Sequence, residues 1–283
     1  MTVRASASSA TLLLTTLGSL LLTTAAHAGN GLNDVGYGTE SAGLAGADLA
    51  LARDTAALST NPAGLTQVGN RALNLLAEPY VFLNHYHRDA IGNDKHPDDP
   101  FGGAISGGYA QRLGNRPVVA GIGLFAQGGT GFAYGDFRTP FGTQDDLSAQ
   151  FGAVKLASGL AWQIDEQWSL GAAFGLLYST ARQKAFPQTS NAAFSGFRVD
   201  DLKGYSANLR VGAQYRPHED WVFGAIYSTR TPIRLRDGRL KLNNTATSGR
   251  YVTYKDVDLS GLGFAPELGV GVPLGSLGDD VGS

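Results

Sequence analysis

The sequence contains no cysteine among its 283 residues, and only 16% of its residues are charged. Without cysteine the chain can form no disulfide, no thiolate metal site and no catalytic thiol. Its 22 basic and 24 acidic residues nearly cancel, which excludes the basic surface of a nucleic-acid-binding protein. After residue 30 no apolar run approaches the ~20 residues that a membrane-spanning helix requires. If the chain crosses a membrane, it does so as β-strands.

The first 28 residues have the pattern of an export signal. Arg4 supplies the positive charge, residues 10–26 are mostly apolar, and Ala26 and Ala28 place small residues where a signal peptidase cuts. A short membrane anchor is the alternative, but the apolar stretch is rich in threonine and no basic flank follows it. We therefore predict cleavage after Ala28 and export across the inner membrane.

Residues 29–70 differ from the rest of the chain, because glycine interrupts every run that could form a long regular element. Small side chains on an irregular backbone suit a segment packed inside another structure, where chains approach closely. A flexible exported linker is the alternative. Asp54 fits the N-cap of a helix, and Pro62 disfavours helix at Asn61, so any helix here is predicted to be short.

From Arg71 onward the side chains alternate with a period of two. Between Trp168 and Tyr178 one face is apolar with an aromatic residue at each end, and the other face is small and mostly polar. Aromatic rings at both ends of an apolar face are typical of strands that cross a bilayer between its two interfaces. We predict eight such strands: Arg71–Asn84, Gly103–Leu113, Pro117–Ala126, Ala153–Ile164, Gln167–Thr180, Gly204–Arg216, Trp221–Thr229 and Phe264–Val272.

Short polar turns alternate with long connections between these strands. The long connections are predicted at residues 85–102, 127–152, 181–203 and 230–263. Outer-membrane barrels have short periplasmic turns and long outer loops, so residues 71–283 are predicted to form a transmembrane antiparallel β-barrel. An eight-stranded barrel is filled by its own side chains and leaves no room for residues 29–70. We therefore expect this sequence to be part of a wider barrel, incomplete at its C-terminus.

The glycine-rich segment resembles the N-terminal hatch of the FadL family, which are outer-membrane channels for long-chain fatty acids and, in relatives, aromatic hydrocarbons. The resemblance is carried by GYG at 36–38, SAGLAGA at 41–47, ARDTAA at 52–57 and NPAGL at 61–65. It implies a fourteen-stranded barrel plugged by the hatch, with about eight of its strands present here. It also implies passive transport from an apolar groove on the outer loops, through a pocket over the hatch, to a sideways gap at a kinked third strand.

The resemblance also suggests roles for particular residues. Asp54, Asn61, Pro62 and Gly64 are expected to hold the hatch in place. The candidate ligand groove consists of aromatic and cationic residues on one long connection: Phe186, Phe194, Phe197, Arg182 and Lys184. Ordinary packing of a loop is the alternative for these aromatic rings.

Two further groups are candidates for roles in transport. Arg210 is predicted to face the lumen, where it meets either a ligand carboxylate or an acid of the lumen wall. Gly128, Gly129 and Gly131 follow the third strand and are the candidate kink, with a plain glycine-rich loop as the alternative.

We expect no enzyme activity, no cofactor and no metal ion, because the histidines at 85, 87 and 96 suit a solvated loop better than a metal site. The expected partners are a hydrophobic small molecule, outer-membrane lipid and the barrel-assembly machinery, with no nucleic acid and a monomeric state. The alternative functions are a general diffusion porin, an outer-membrane barrel enzyme such as a lipid hydrolase, and a structural or adhesion barrel.

Overall fold

The computed structural model describes residues 36–37, 41, 48–83, 85–218 and 221–271. The predicted export signal and the predicted C-terminal incompleteness lie outside these residues. The described chain holds twelve β-strands, two 3-10 helices and one short helical turn. The 3-10 helices are η1 (Thr55–Leu58) and η2 (Pro62–Gln67), and the turn is α1 (Thr245–Ser248).

Most strands belong to one large antiparallel sheet, and two of them form a small separate hairpin. The hairpin consists of β2 (His87–Arg88) and β3 (Asp94–Lys95). The strands of the large sheet are β1 (Arg71–Val81), β4 (Phe101–Arg112), β5 (Val118–Arg138), β6 (Gln144–Gln163), β7 (Trp168–Ser190), β8 (Ser195–His218), β9 (Trp221–Ser228), β10 (Thr231–Asn244), β11 (Arg250–Phe264) and β12 (Glu267–Gly271).

Side by side, the ten strands of the large sheet occupy eight positions, each of them long enough to span a membrane. The C-terminal part of β8 (residues 210–218) pairs with β9, and its N-terminal part (residues 197–203) pairs with β10. β9 and β10 therefore follow one another along the same neighbouring strand. In the same way β11 pairs with β10 while β12 pairs with β9. The prediction of about eight antiparallel strands is therefore confirmed. Within the described residues the sheet stays open, with β1 at one edge and β11 and β12 at the other.

The sequence prediction was wrong about the long connections, because most of residues 127–152, 181–203 and 230–263 is strand. The ladders in these extensions carry register shifts, and four aspartates beside the shifts have positive φ angles: Asp136, Asp201, Asp237 and Asp256. Each bulge moves the following residues to the other face of the sheet. The period of two is therefore lost at the points where the strands leave the apolar zone.

One face of the sheet exposes large apolar side chains, and the other face is covered by the N-terminal segment. On β1, for example, Leu73 is 71% exposed and Leu75 is 81% exposed. Trp168 marks one end of the exposed apolar face of β7, and Tyr178 marks the other. A continuous apolar surface bounded by aromatic rings matches the lipid-facing band of an outer-membrane barrel. No helix among the described residues is long and apolar enough to cross a membrane.

The covered face packs on the two 3-10 helices. Leu58 of η1 and Leu65 of η2 are buried in an apolar cluster with small residues from the surrounding strands: Ala110, Val119, Ala157, Ala161 and Ala173. Because alanine and glycine are small, they leave room for the two 3-10 helices against the inward face of the strands. One apolar core of the described residues therefore lies between the sheet and residues 48–70. A second buried cluster, which includes Leu177, Leu202 and Leu235, lies on the inward face of the sheet.

Candidate functional site

Asn61 attaches the N-terminal segment to the strand wall. Its side chain is fully buried, and its Oδ1 accepts a hydrogen bond from the backbone N–H of Ala63 at 3.2 Å, which caps η2. Its Nδ2 donates to the carbonyl oxygens of Leu49 at 2.7 Å and Ala213 at 3.1 Å. Because Ala213 lies on β8, one side chain both starts the helix and joins it to the sheet.

Glycines on the wall and in the segment allow the backbones to meet. A Cβ atom at Gly171 would lie 2.3 Å from the carbonyl carbon of Pro62, and one at Gly212 would lie 2.0 Å from Asn61 Oδ1. A Cβ atom at Gly64 would lie 1.9 Å from the carbonyl oxygen of Ala52. No side chain fits at these distances, so glycine is required at each of the three positions.

Asp54 caps the other short helix of this segment. Its Oδ1 accepts a hydrogen bond from the backbone N–H of Ala56 at 2.8 Å. The next residue along, Thr55, donates its backbone N–H to Asn74 Oδ1 on β1 at 3.3 Å. The four hatch residues named from the sequence therefore sit at caps and close contacts of a segment held against the wall.

Arg210 projects from β8 toward this segment. Its Nη1 donates to the carbonyl oxygen of Thr60 at 2.8 Å, and its Nη2 forms an ion pair with Glu267 Oε2 at 2.6 Å. The guanidinium thus joins the hatch to β12. No local sequence pattern indicates Glu267 as its partner, because that contact depends on the register of β8, β9 and β12.

A buried lysine lies on the same inward face and was not singled out from the sequence. Lys155 on β6 is 2% exposed, and its stem packs over Gly175, where a Cβ atom would lie 3.0 Å from Lys155 Cδ. Its Nζ lies 5.3 Å from the centre of the Tyr37 ring, in a cation–π contact. Tyr37 in turn meets Phe125 edge-on, with the ring centres 6.0 Å apart.

The ladder between β4 and β5 ends early, next to Phe125. Its last register pair is Gly107 with Leu124, although β4 continues to Phe101 along β1 and β5 continues to Arg138 along β6. Above that pair the described strands share no register pair, and the backbone N–H of Ala126 donates to Ser106 Oγ instead, at 3.1 Å. We call this break the side gap.

The three candidate kink glycines lie inside β5 at the level of the side gap, rather than in a loop after the strand. The β5–β6 register shifts between Ala126 and Gly128, and Gly128 has a φ angle of 154°. Gly129 and Gly131 then pair with residues of β6. A β-bulge therefore stands where β5 has already left β4.

Two of the three candidate groove phenylalanines meet in an aromatic cluster at the outer end of the strands. Phe186 stacks on Phe137 with ring centres 6.0 Å apart, and Phe194 stacks on Phe141 at 4.7 Å. Phe186 and Phe194 are 6.1 Å apart. The ring of His87 meets the ring of Phe137 edge-on, with the ring centres 4.9 Å apart.

Phe186 adopts a left-handed conformation with a φ angle of 49°, an uncommon conformation for a bulky residue. The Phe186 backbone also passes close to Gly196, where a Cβ atom would lie 1.7 Å from the Phe186 carbonyl oxygen. Phe197 pairs in register with Ala185 and Leu242, apart from the stacked rings.

The two candidate groove cations lie on the other face of β7. Arg182 donates its Nε to Gln150 Oε1, and Lys184 Nζ forms an ion pair with Asp146 Oδ2 at 3.1 Å. Both residues continue the alternation of Tyr178, which faces outward, whereas the stacked rings lie against the buried Phe137. The structure therefore separates these cations from the aromatic cluster.

The β2–β3 hairpin packs on the outer part of β5. Asn93 is buried there, where its Oδ1 accepts the backbone N–H of Arg138 at 2.8 Å and its Nδ2 donates to the Arg138 carbonyl oxygen at 2.9 Å. The Asn93 side-chain amide also donates to Asp89, which lowers the pKa of that carboxyl group to about 2. Backbone N–H groups of Asn93 and Ile91 donate to the same carboxylate.

Solved structures with a similar fold are hydrocarbon channels. A TodX deltaS2S3 mutant monoaromatic hydrocarbon channel matches with a TM-score of 0.60 and 17% identity, over 77% of this chain and 61% of that chain. The toluene transporter TbuX of Ralstonia pickettii matches with a TM-score of 0.59 and 19% identity, over 77% of this chain and 62% of that one. The CymD monoaromatic hydrocarbon channel matches with a TM-score of 0.60 and 16% identity, over 85% and 65%.

The chain thus spans about three fifths of the first solved structures that it resembles. No curated protein sequence matches it significantly. The sequence profile of one family matches residues 18–262, which is most of the chain. This match agrees with the antiparallel strands, the outward apolar face and the small-residue segment held against the wall. The chain belongs to the outer membrane protein transport protein family (OMPP1/FadL/TodX).

Proposed function

We propose that this protein gives hydrophobic small molecules a passive route across the outer membrane, by way of the lumen and the side gap. The observation that carries the proposal is the early end of the β4–β5 ladder beside the buried ring of Phe125. The strands of a closed barrel pair along their full length, because unpaired backbone groups are costly in lipid. A break of this kind at a bulge suits an opening between lumen and bilayer.

The docked hatch favours a sideways route over an axial one. Asn61, Arg210 and the glycine contacts hold residues 48–68 against the wall, and this segment lies between the lumen above it and the short turns below it. The free energy of a fatty acid or an aromatic hydrocarbon falls when the molecule leaves water for lipid. A sideways exit therefore needs no energy source and leaves the hatch in place.

The aromatic cluster of Phe137, Phe186, Phe141 and Phe194 is the proposed site of ligand capture. These rings are contributed by the outer ends of β5 and β7 and by the segments that follow them. Apolar ligand sites are commonly lined by aromatic side chains. Because Arg182 and Lys184 lie on the other face of β7, we assign them no part in this groove.

On the inward face, Lys155 and Arg210 are the basic side chains that we propose for an acidic ligand, with Lys155 buried and Arg210 also paired with Glu267. Tyr37 and Phe125 add aromatic surface beside Lys155. We place the inner ligand pocket here, between the hatch and the side gap. The hydrocarbon channels named above are similar in fold, and on that basis we propose aromatic hydrocarbons and fatty acids as the substrate classes.

The remaining proposals concern how the protein reaches the membrane and acts there. We propose that the export signal is cleaved after Ala28 and that the barrel-assembly machinery inserts the chain. We further propose that the protein works as a monomer and performs no covalent chemistry on its ligand.

A reversible crosslink across the side gap tests the proposed route. Ile105 and Ala126 continue the β4–β5 register past the last pair on the outward face, and the natural sequence has no cysteine to interfere. The pair Ile105→Cys and Ala126→Cys is introduced into the full-length protein, and influx of labelled toluene and oleate into proteoliposomes is measured before and after oxidation.

Oxidation is expected to stop influx, and reduction is expected to restore it. The matched control is the pair Tyr109→Cys and Ile122→Cys, which lies in register on the paired part of the same ladder. That pair should leave influx unchanged in both redox states. Undiminished influx through a protein whose Ile105–Ala126 disulfide is verified by mass spectrometry would refute the side-gap route.

A further inference from the structure

Four cations project from the outward face of the sheet, near the end that carries the long connections. We call this group the outer cation cluster: Arg182 on β7, Lys203 on β8, and Arg234 and Arg236 on β10. Lys203 pairs in register with Thr180, which continues the outward row above Tyr178. Arg236 pairs with Lys203 on the next strand, so these two side chains share a face.

The inward neighbours confirm this orientation. Leu202 and Leu235 lie next to the cations in sequence and are buried in one apolar cluster on the inward face of the sheet. Since successive side chains of a strand point to opposite faces, Lys203, Arg234 and Arg236 point outward. All three are exposed.

The cations of this cluster are not neutralised by the acidic residues around them. Lys203 and Arg236 stand directly opposite each other on neighbouring strands, an arrangement that is destabilising for like charges. The nearby Asp200 and Asp201 are already paired with Arg198 and Arg239. Within the described residues no carboxylate lies within ion-pair distance of the four cluster cations, so the cluster suits an external anion.

The cluster borders a shallow groove between β10 and β11 of about 260 Å³. Its lining includes Arg234, Arg236 and Ser260, which offer positive charge and a hydroxyl group. Asp258 also lines the groove and repels an anion there, so the phosphate position is expected on the β8 side, between Lys203 and Arg236. Arginine and lysine are the usual partners of phosphate oxygens in proteins.

The position of the cluster along the strands indicates what kind of anion it meets. Tyr178 and Tyr205 pair in register and form the upper edge of the apolar face, and Lys203 lies two residues beyond Tyr205. At ~3.3 Å per residue the Lys203 backbone is roughly 7 Å above the aromatic edge, at the level of lipid head groups. The short turns at the other end of the strands are periplasmic in outer-membrane barrels, so the cluster faces the outer leaflet.

We propose that the outer cation cluster binds the phosphate groups of a phosphorylated glycolipid of the outer leaflet. The acyl chains of that lipid lie along the apolar outward face below the cluster, which includes Tyr205, Leu209 and Leu176. The lipid phosphate removes the repulsion between Lys203 and Arg236. The site lies on the outside of the wall and is independent of the lumen route proposed above.

The experiment measures binding of lipid A to the full-length protein in detergent micelles. The test variant is the double substitution Lys203→Gln with Arg236→Gln, and the matched control is Arg116→Gln, which removes an exposed arginine from the short β4–β5 turn at the other end. Three probes are used: lipid A, the same lipid with its phosphates removed, and inorganic phosphate as a competitor. Folding is checked by far-UV circular dichroism and by the difference in SDS-gel mobility between unheated and heated samples.

We expect the double variant to bind lipid A about thirtyfold more weakly, because each cation near a charged membrane surface strengthens binding roughly fivefold. The Arg116→Gln protein should bind within twofold of the natural protein. The dephosphorylated lipid should bind the natural protein about thirtyfold more weakly than lipid A does. This comparison uses the natural protein alone, so it holds even if the double variant folds poorly. Equal affinity for both forms of the lipid, or displacement of lipid A by inorganic phosphate at equal concentration, would overturn the proposal.

Discussion

Replacing Asn61 by alanine is expected to release the hatch from the wall while leaving the strands paired. The substitution removes the cap of η2, which contributes about 1 kcal/mol. It also leaves the carbonyl oxygens of Leu49 and Ala213 without their amide donor, and a buried polar group without a partner costs about 1–3 kcal/mol. Allowing for partial relaxation of the cavity, we expect a loss of about 4 kcal/mol in the local free energy of hatch docking.

Hydrogen–deuterium exchange of the full-length protein in micelles measures this effect. A loss of about 4 kcal/mol corresponds to a roughly thousandfold increase in the opening equilibrium, seen as faster exchange of peptides from residues 48–68. Peptides from β6 and β7 should exchange at the natural rate, because their ladders do not depend on the hatch. The variant Asp54→Ala is the comparison for the loss of a cap, because the Asp54 carboxylate accepts the backbone N–H of Ala56 at the start of η1. Its exchange should rise about fivefold, the value of one cap. Hatch exchange in Asn61→Ala within threefold of the natural protein would refute this reasoning.

Three further predictions concern the close contacts and charges of the site. Gly171→Val should push the hatch away from Pro62 and raise hatch exchange at least tenfold, whereas Gly152→Val on β6, where a Cβ atom has only a 3.9 Å neighbour, should not. Arg210→Met should weaken hatch docking, because it removes the donor to the Thr60 carbonyl oxygen of the hatch. Arg210→Lys restores the positive charge but should recover less than half of the effect in the same exchange assay, because the lysine ammonium lacks the planar, two-pronged donor geometry of the guanidinium. Asp89 has a lowered pKa, so its contribution to the β2–β3 hairpin is complete above the ordinary pKa near 3.8 and is lost as the pH falls through about 2; exchange of hairpin amides should accelerate over that range, and Asp89→Asn should flatten the pH dependence.

The strand pattern could be predicted from the sequence wherever lipid imposes it. Between Trp168 and Tyr178 each residue has to suit either lipid or lumen, so alternation is strict and the aromatic ends mark the interfaces. Beyond Tyr178 both faces of the sheet lie outside the lipid zone, and bulges at residues such as Asp201 shift the alternation. The strand extensions were therefore misread as loops, although they are paired.

The candidate site could be predicted only in part, for a related reason. The hatch residues lie close together in sequence, so the short motif around Asn61 and Pro62 identifies them. Glu267, Lys155 and Tyr37 come together only through the register of several strands, which no local pattern encodes. Arg182 was placed beside Phe186 because the two are near in sequence, but the alternation of β7 and the turn at Phe186 put them on different faces.

The most direct test of the central claim measures toluene influx and ion conductance for the full-length protein in the same planar bilayers and vesicles. A hatch docked on the wall, together with an apolar side route, predicts saturable toluene influx without a steady ion current. A lasting ohmic current with no preference for toluene over a polar solute of the same size would show an open aqueous pore, and would contradict it.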